Sequence, residues 1–360
     1  THVDASNRSV NLVDVDIEEL IPEPTTLAPR DTETEVFRGL RGSLRDGSGQ
    51  SYAEMKSGLV TRYAWVWAQL VIAYSVLLGV AGSVVMLQPY LSAWWQVGIA
   101  GLLGGIIVGY FVAFIALWLH EAAHFNVHPV RAWNDRLANI FLGPIVLHDV
   151  RQYRRIHFGH HRHLGTTSDT ERSYFNALNV RYFIESLSGI KVARVLLTRV
   201  PSVLPSKETE IYLNWAAPAG VLLHLGVIGG GIYAQCYALA LTWSFGVFIV
   251  YPFLGGLRQV LEHRSYDASP TVDYTQNAHG EYTRVFKGGI FSRTFGGAGF
   301  NRHLIHHWDP GISSTCFNDV ENFLENSQLR DFYGSRTTTY GHALTVLLQH
   351  STQGTIPRDR

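Results

Sequence analysis

Four long stretches of this chain carry no charge, and nothing else in the sequence restricts its fold as much. Residues 63–86 (YAWVWAQLVIAYSVLLGVAGSVVM) and 95–119 contain no Asp, Glu, Lys or Arg, and 211–232 and 236–257 form a second such pair. Each reaches the ~20 residues an α-helix needs to cross a ~30 Å hydrocarbon core. A short turn joins the members of each pair, which predicts two transmembrane hairpins. Charged residues make up 16% of the chain, against roughly 25% in soluble proteins, so membrane spans fit better than buried soluble helices.

The basic residues orient the spans. No Lys or Arg lies between Arg62 and Arg131, or between Lys207 and Arg258. The positive-inside rule then puts both inter-span turns outside, and the N-terminal part, the segment 129–207 and everything from Arg258 in the cytoplasm. Three regions follow: a polar arm (1–57), a membrane and catalytic domain (58–325) and a C-terminal tail (326–360). Leu137 to Leu147 is apolar but too short to cross, which suggests a re-entrant or interfacial piece. Gly101, Gly104 and Gly105 read as a site of close helix packing. His224, in the middle of the third span, is expected to hydrogen-bond a neighbouring helix. Cys236 and Cys316 fall on opposite sides of the membrane and should not pair. A net charge of zero gives no reason to expect nucleic acid.

The 17 histidines are bunched. His120-Glu-Ala-Ala-His124 ends the second run. His157-Phe-Gly-His160-His161 lies in the basic middle segment, with His163 just beyond. His303-Leu-Ile-His306-His307 repeats that spacing in the last third, and His263 follows the fourth run. On a helix, i, i+3 and i+4 share one face, so each cluster can direct several imidazoles at one point. Every cluster lies just past a helix end on the side assigned to the cytoplasm. His-Glu-x-x-His alone is the signature of a zinc protease, with Glu121 as base. That reading leaves seven clustered histidines without a role, and no Asp in the later spans supplies a third ligand. One zinc takes about four ligands, whereas two six-coordinate ions can use nine imidazoles, and imidazole suits iron as well as zinc.

The order HxxxH, HxxHH, HxxHH, with two hairpins around the boxes, resembles the membrane fatty acid desaturase/hydroxylase superfamily, over roughly Tyr63 to Leu324. The run from His306 into Trp308-Asp-Pro310 is similar to the ending of bacterial acyl desaturases, and Glu262-His263 to an outlying ligand of many members. The resemblance implies an all-α integral membrane fold, with four transmembrane helices and a cytoplasmic helical domain holding a di-iron site. Its ligands would be His120, His124, His157, His160, His161, His263, His303, His306 and His307, and zinc can replace iron in purified protein. Glu121, Asp135, Asp149, Asp169 and Glu262 are the carboxylates to examine as supports for the ligand rings.

Such enzymes use O2 and two external electrons to remove hydrogen from a fatty acyl or lipid-like chain. A separate donor is implied: ferredoxin, rubredoxin or cytochrome b5 with its reductase. Desaturation is the expected outcome, with hydroxylation or another C–H oxidation of a lipid, carotenoid or small amphiphile as the alternative. The bacterial inner membrane fits better than the endoplasmic reticulum. Arg151, Arg154 and Arg155, with Arg131 and Arg136, serve either as positive-inside anchors or as a grip on an acidic headgroup, and His163 is a substrate-side or surface residue.

Overall fold

The charge-free runs become the longest helices. The structure, a computed structural model, describes residues 33–199 and 215–352. Helices α1 (Glu33–Leu40) and α2 (Tyr52–Ser57) precede α3 (Tyr63–Leu87), which a turn at Gln88–Tyr90 joins to α4 (Trp94–Ala123). Next come α5 (Arg131–Phe141), α6 (Gly143–Val146), α7 (Val150–His163), α8 (Val180–Leu187), α9 (Ile190–Arg199) and α10 (Ala216–Tyr233). Helix α11 (Tyr237–Phe245) runs through a π-helical segment, Gly246–Val250, into α12 (Tyr251–His263). The last third holds β1 (Val285–Phe286), α13 (Gly289–Gly296), α14 (His303–Trp308), α15 (Phe317–Glu325), α16 (Arg330–Ser335), β2 (Thr337–Thr338) and α17 (Tyr340–Thr352).

Four stretches are long and apolar enough to cross a membrane: Tyr63–Tyr90, Trp94–Ala123, Ala216–Tyr233 and Tyr237–His263. Residues 211–214 of the expected third span lie outside the described residues. The fourth span ends at His263 rather than at 257. Arg258 and Glu262 continue the helix because they neutralise each other one turn apart, with 2.6 Å between nitrogen and oxygen. The 30 residues of α4 rise ~45 Å, so its last turns stand clear of a ~30 Å core.

Small residues set the distance between the helices. A Cβ added to Gly104 would sit 2.7 Å from Thr242 Oγ1, and one on Gly105 2.8 Å from the Phe245 ring. Glycine there lets α11 lie directly on α4, as small residues do in membrane bundles. The predicted re-entrant piece forms the end of α5 and the single turn α6, which packs on α10. His224 of α10 fixes it. Trp243 Nε1 donates to His224 Nδ1 (3.0 Å), so the proton lies on Nε2, which faces Ile145 O at 3.1 Å. Both bonds satisfy a polar ring that is 1% exposed, in a place where an unpaired one would be costly.

Residues 33–57, expected within a polar arm, are packed into the protein. Phe37 of α1 stacks on Trp308 at 4.8 Å. Tyr52 of α2 donates to Asp309 (2.9 Å), whose carboxylate also meets Lys56 Nζ at 2.8 Å. Part of the expected tail is held as well: β2 pairs in parallel with β1, and Tyr340 stacks on Phe286 at 3.8 Å. Cys236 and Cys316 are both free thiols.

Candidate metal centre

Helix ends carry the histidines inward. His120 lies in the last turn of α4 and His124 is its C-cap. The next residue, Phe125, takes φ +62°, a left-handed turn uncommon outside glycine. Arg154 of α7 clasps that turn. Its Nε donates to Ala123 O (2.7 Å) and its Nη2 to Ala122 O (3.1 Å). The guanidinium covers the Phe125 ring at 3.9 Å and pairs with Asp135 at 2.6 Å. Arg151 also reaches Asp135, at 3.2 Å. Two of the three central arginines are therefore occupied in holding the end of α4, while Arg155 is exposed. Asp149 caps α7 through the amides of Arg151 (2.8 Å) and Gln152 (3.1 Å) and accepts from Asn139 (2.6 Å). Those contacts start the helix that carries the second box, and none of them is to a box histidine.

Nine imidazoles converge in two groups. His120, His124, His157, His161 and His306 form one; His160, His263 and His307 form another, and His303 joins His263 and Glu262. Within each such set, the ligand atoms lie within 4.8 Å of one another. In the first, the Nε2 atoms of His157 and His161 are 2.8 Å apart and those of His161 and His306 2.9 Å. In the second, His303 Nε2 lies 3.0 Å from His263 Nε2 and 3.1 Å from His307 Nε2.

The repeated HxxHH spacing divides itself between them. On α7 the i, i+4 pair His157 and His161 faces the first group, and His160 faces the second. On α14 the i, i+4 pair His303 and His307 faces the second group, and His306 faces the first. Two short helices thus bind both groups together.

The far nitrogens are held in several ways. His160 Nδ1 meets Asp169 at 2.9 Å, and Tyr174 OH donates to the same carboxylate. His157 Nδ1 meets Glu171 at 3.1 Å, and Gln259 Nε2 donates to Glu171 at 2.5 Å. His263 Nδ1 faces the carbonyl of Tyr282 at 3.1 Å. Such partners fix ring orientation and tautomer around a metal. Burial alone would raise the Glu171 carboxyl, but His160 and the hydrogen bond from His157 hold it down to about 2. Burial, then the neighbouring rings, keeps His161, His303, His306 and His307 well below the usual imidazole range. Those rings are therefore neutral and offer lone pairs.

The donor set fits metal. Both ring nitrogens of His120, and Nε2 of His124, are buried with no hydrogen-bond partner. Buried polar atoms are rarely left so, and a coordinated cation would take up the lone pair that one nitrogen of each neutral ring carries.

Glu262, fully buried, keeps Oε2 3.7 Å from His303 Nε2 while Arg258 holds Oε1. Glu121 accepts from Ser314 N (2.9 Å) and faces Ser313 Oγ (3.4 Å), tying α4 to the segment after the third box. His163 belongs to neither group. Glu171, Gln259 and the Tyr282 carbonyl are the contributors that the sequence did not single out.

Beside the rings lies a cavity of ≈ 330 Å³, bordered by His120, His157, His160, His263 and His303. Four stretches long and apolar enough to cross a membrane, with nine imidazoles gathered beside a cavity, fit a membrane protein with a histidine-rich metal site. A family model described as fatty acid desaturase matches residues 92–317, more than half of the chain and inclusive of all four histidine clusters. The chain belongs to the fatty acid desaturase family. A comparison with curated proteins gives no match. Membership places the chain among desaturase- and hydroxylase-type oxidoreductases and implies a lipid substrate in a membrane context.

Proposed function

We propose that this protein is an O2-dependent desaturase that introduces a double bond into a lipid-like chain, with two iron ions held by the nine imidazoles. The observation that carries the reading is the convergence of two groups of buried ring nitrogens beside one cavity, which His120, His157, His160, His263 and His303 border. His120, His124, His157, His161 and His306 would hold one ion, and His160, His263, His303 and His307 the other. Iron bound there would supply O2 activation and the oxidising power to break an unactivated C–H bond.

The chain's own residues position and insulate. Asp169, Glu171 and the Tyr282 carbonyl fix three rings, as their contacts with His160, His157 and His263 describe. Phe300 packs edge-on to His120 at 4.6 Å and, with Leu119 and Val146, gives the cavity apolar lining beside the rings. Arg258 and Glu262 neutralise each other beside the reacting space, so neither charge faces the substrate unpaired. The absence of Lys and Arg from both inter-span turns supports a cytoplasmic metal centre. Two electrons per turnover would come from a separate ferredoxin, rubredoxin or cytochrome b5.

Hydroxylation uses the same ligands and is the second reading. Metal analysis and product mass spectrometry test both. Two irons per chain with a product two hydrogens lighter are expected; an added oxygen would establish the hydroxylase. A single tightly held zinc, with peptide cleavage, would replace both by a protease.

A further inference from the structure

The group of His160, His263, His303 and His307 has a support that comes from none of the helices carrying it. Residues 281–285 run past it and touch two of those helices. The Tyr282 carbonyl faces His263 Nδ1 at 3.1 Å, and Thr283 Oγ1 lies 3.4 Å from the same nitrogen. Two residues on from Tyr282, the Arg284 carbonyl accepts from Leu304 N–H at 3.3 Å, next to His303. One short segment thus meets the end of α12 and the start of α14, where His263 and His303 stand.

Arg284 fixes that segment. Its side chain is fully buried, and a guanidinium taken out of water is costly unless its surroundings meet it. Nη1 donates to Leu261 O at 2.8 Å, in the last turn of α12 and two residues before His263. The guanidinium also lies over the Tyr266 ring at 4.0 Å and the Tyr282 ring at 4.4 Å, a stacking that its planar shape favours. With its side chain on α12 and its carbonyl on α14, one residue bridges two ligand-bearing helices.

The segment is held from its outer side as well. Val285 N donates to Arg336 O at 3.0 Å, where β1 pairs with β2. The Arg336 guanidinium covers the Tyr282 ring at 4.5 Å and pairs with Glu33 of α1. Thr34 of α1 donates to Glu281 through its amide (3.2 Å) and its hydroxyl. Glu33, Thr34 and Arg336 lie outside residues 92–317, which the family model matches. The outer brace is therefore built from the chain's own flanks.

We propose that Arg284 is a positioning residue of this four-ring group, aiming His263 and His303, and that α1 braces it through Glu281 and Arg336. The metal-binding reading of the nine imidazoles underlies this role, and two measurements keep them apart. The first is chelator competition on the full chain in nanodiscs loaded with iron, where the iron lost in His263→Ala marks the four-ring site. Arg284→Lys keeps the charge and loses the planar stack. It should weaken that iron about tenfold, the lower reach of losing a ligand's support, and move the other by no more than about twofold. Added to His263→Ala, it should leave the remaining iron as it was. Thr34→Val, which spares the buried centre, should weaken the same iron about threefold, the scale of one hydrogen bond. The second measurement is hydrogen exchange, read by mass spectrometry on the metal-free chain. Arg284→Lys should speed exchange at residues 300–308, where Leu304 N–H loses its hold, and leave 117–125 unchanged.

Equal loss of both irons, or of neither, in Arg284→Lys and Thr34→Val would overturn the positioning role and leave the two-iron reading standing. A wild-type chain that takes up no iron defeats that reading instead. Exchange then decides alone: faster exchange confined to 300–308 upholds the role of Arg284, and unchanged exchange there overturns it.

Discussion

The two imidazole groups share two helices and yet are built differently. The first has five rings and draws on α4, α7 and α14, with no carboxylate among its ligand atoms. The second has four rings from α7, α12 and α14, with Glu262 beside them. The five-ring group is anchored at the end of α4, where Arg154 and Asp135 clasp the turn. The four-ring group is anchored at the end of α12, where Arg258 holds Glu262. Number of donors and stiffness of anchoring are therefore distributed unequally, and substitutions should separate the halves.

The largest effect belongs to the ligands themselves. His263→Ala leaves three imidazoles in its group, one fewer than His124→Ala leaves in the other. Iron per chain should halve, and turnover should fall at least ~100-fold, since losing even a supporting partner of a ligand costs ~10–100-fold. His124→Ala leaves four imidazoles and should retain most of its metal. Equal metal loss in the two variants would erase the distinction.

Asp169→Asn and Glu171→Gln come next, each with ~10–100-fold weaker metal affinity. Chelator competition should show the weaker site to be the four-ring group in the first variant and the five-ring group in the second. Loss from the same site in both would show that the carboxylates support the centre as a whole.

Asp135→Asn probes the clasp and should cost on the order of 2 kcal/mol, the scale of a hydrogen bond to a charged partner. Burial would raise the Asp135 carboxyl, but the hydrogen bond and charge of Arg154, with Asn134, hold it below its ordinary 3.8. A depressed acid contributes stability above its unfolded value and loses it as pH falls through the folded one. The Tm gap between wild type and variant should be full at neutral pH and close only below pH 3.8. A gap independent of pH would assign the loss to shape rather than charge.

Glu121→Gln should be mildest. The amide oxygen can still accept from Ser314 N–H, so activity should drop only a few-fold, at the low end for one altered hydrogen bond (~0.5–1.5 kcal/mol). Complete loss with metal content intact would restore Glu121 as a catalytic base.

Much of this was legible in the residues. Absence of charge located the spans, because a bare charge in hydrocarbon is costly, and box spacing located the rings, because helix geometry is periodic. The extension of α12 was hidden: Arg258 and Glu262 look like the end of a span until their pairing is seen. Glu171 stands in an ordinary polar stretch, DTERS, and acquires its place only when His157 and Gln259 arrive from other helices. The Tyr282 carbonyl could belong to any residue, so no side chain announces it. Phe37 and Tyr52, lone aromatics in a polar arm, were the only local hint that residues 33–57 fold onto Trp308 and Asp309. Cavity size depends on helix separation, which glycines suggest but only coordinates measure.

The stretches Trp94–Ala123 and Tyr237–His263 are both long and apolar enough to cross a membrane, and each carries a candidate ligand in its last turn, His120 and His263. Lipid thickness sets the tilt of such rods, at fractions of a kcal/mol per Å of mismatch. A thinner or thicker bilayer would therefore pull on the coordination sphere itself. Acyl-chain length of the surrounding lipid becomes a tuning variable for this centre, acting from outside the cavity and without touching a single donor atom.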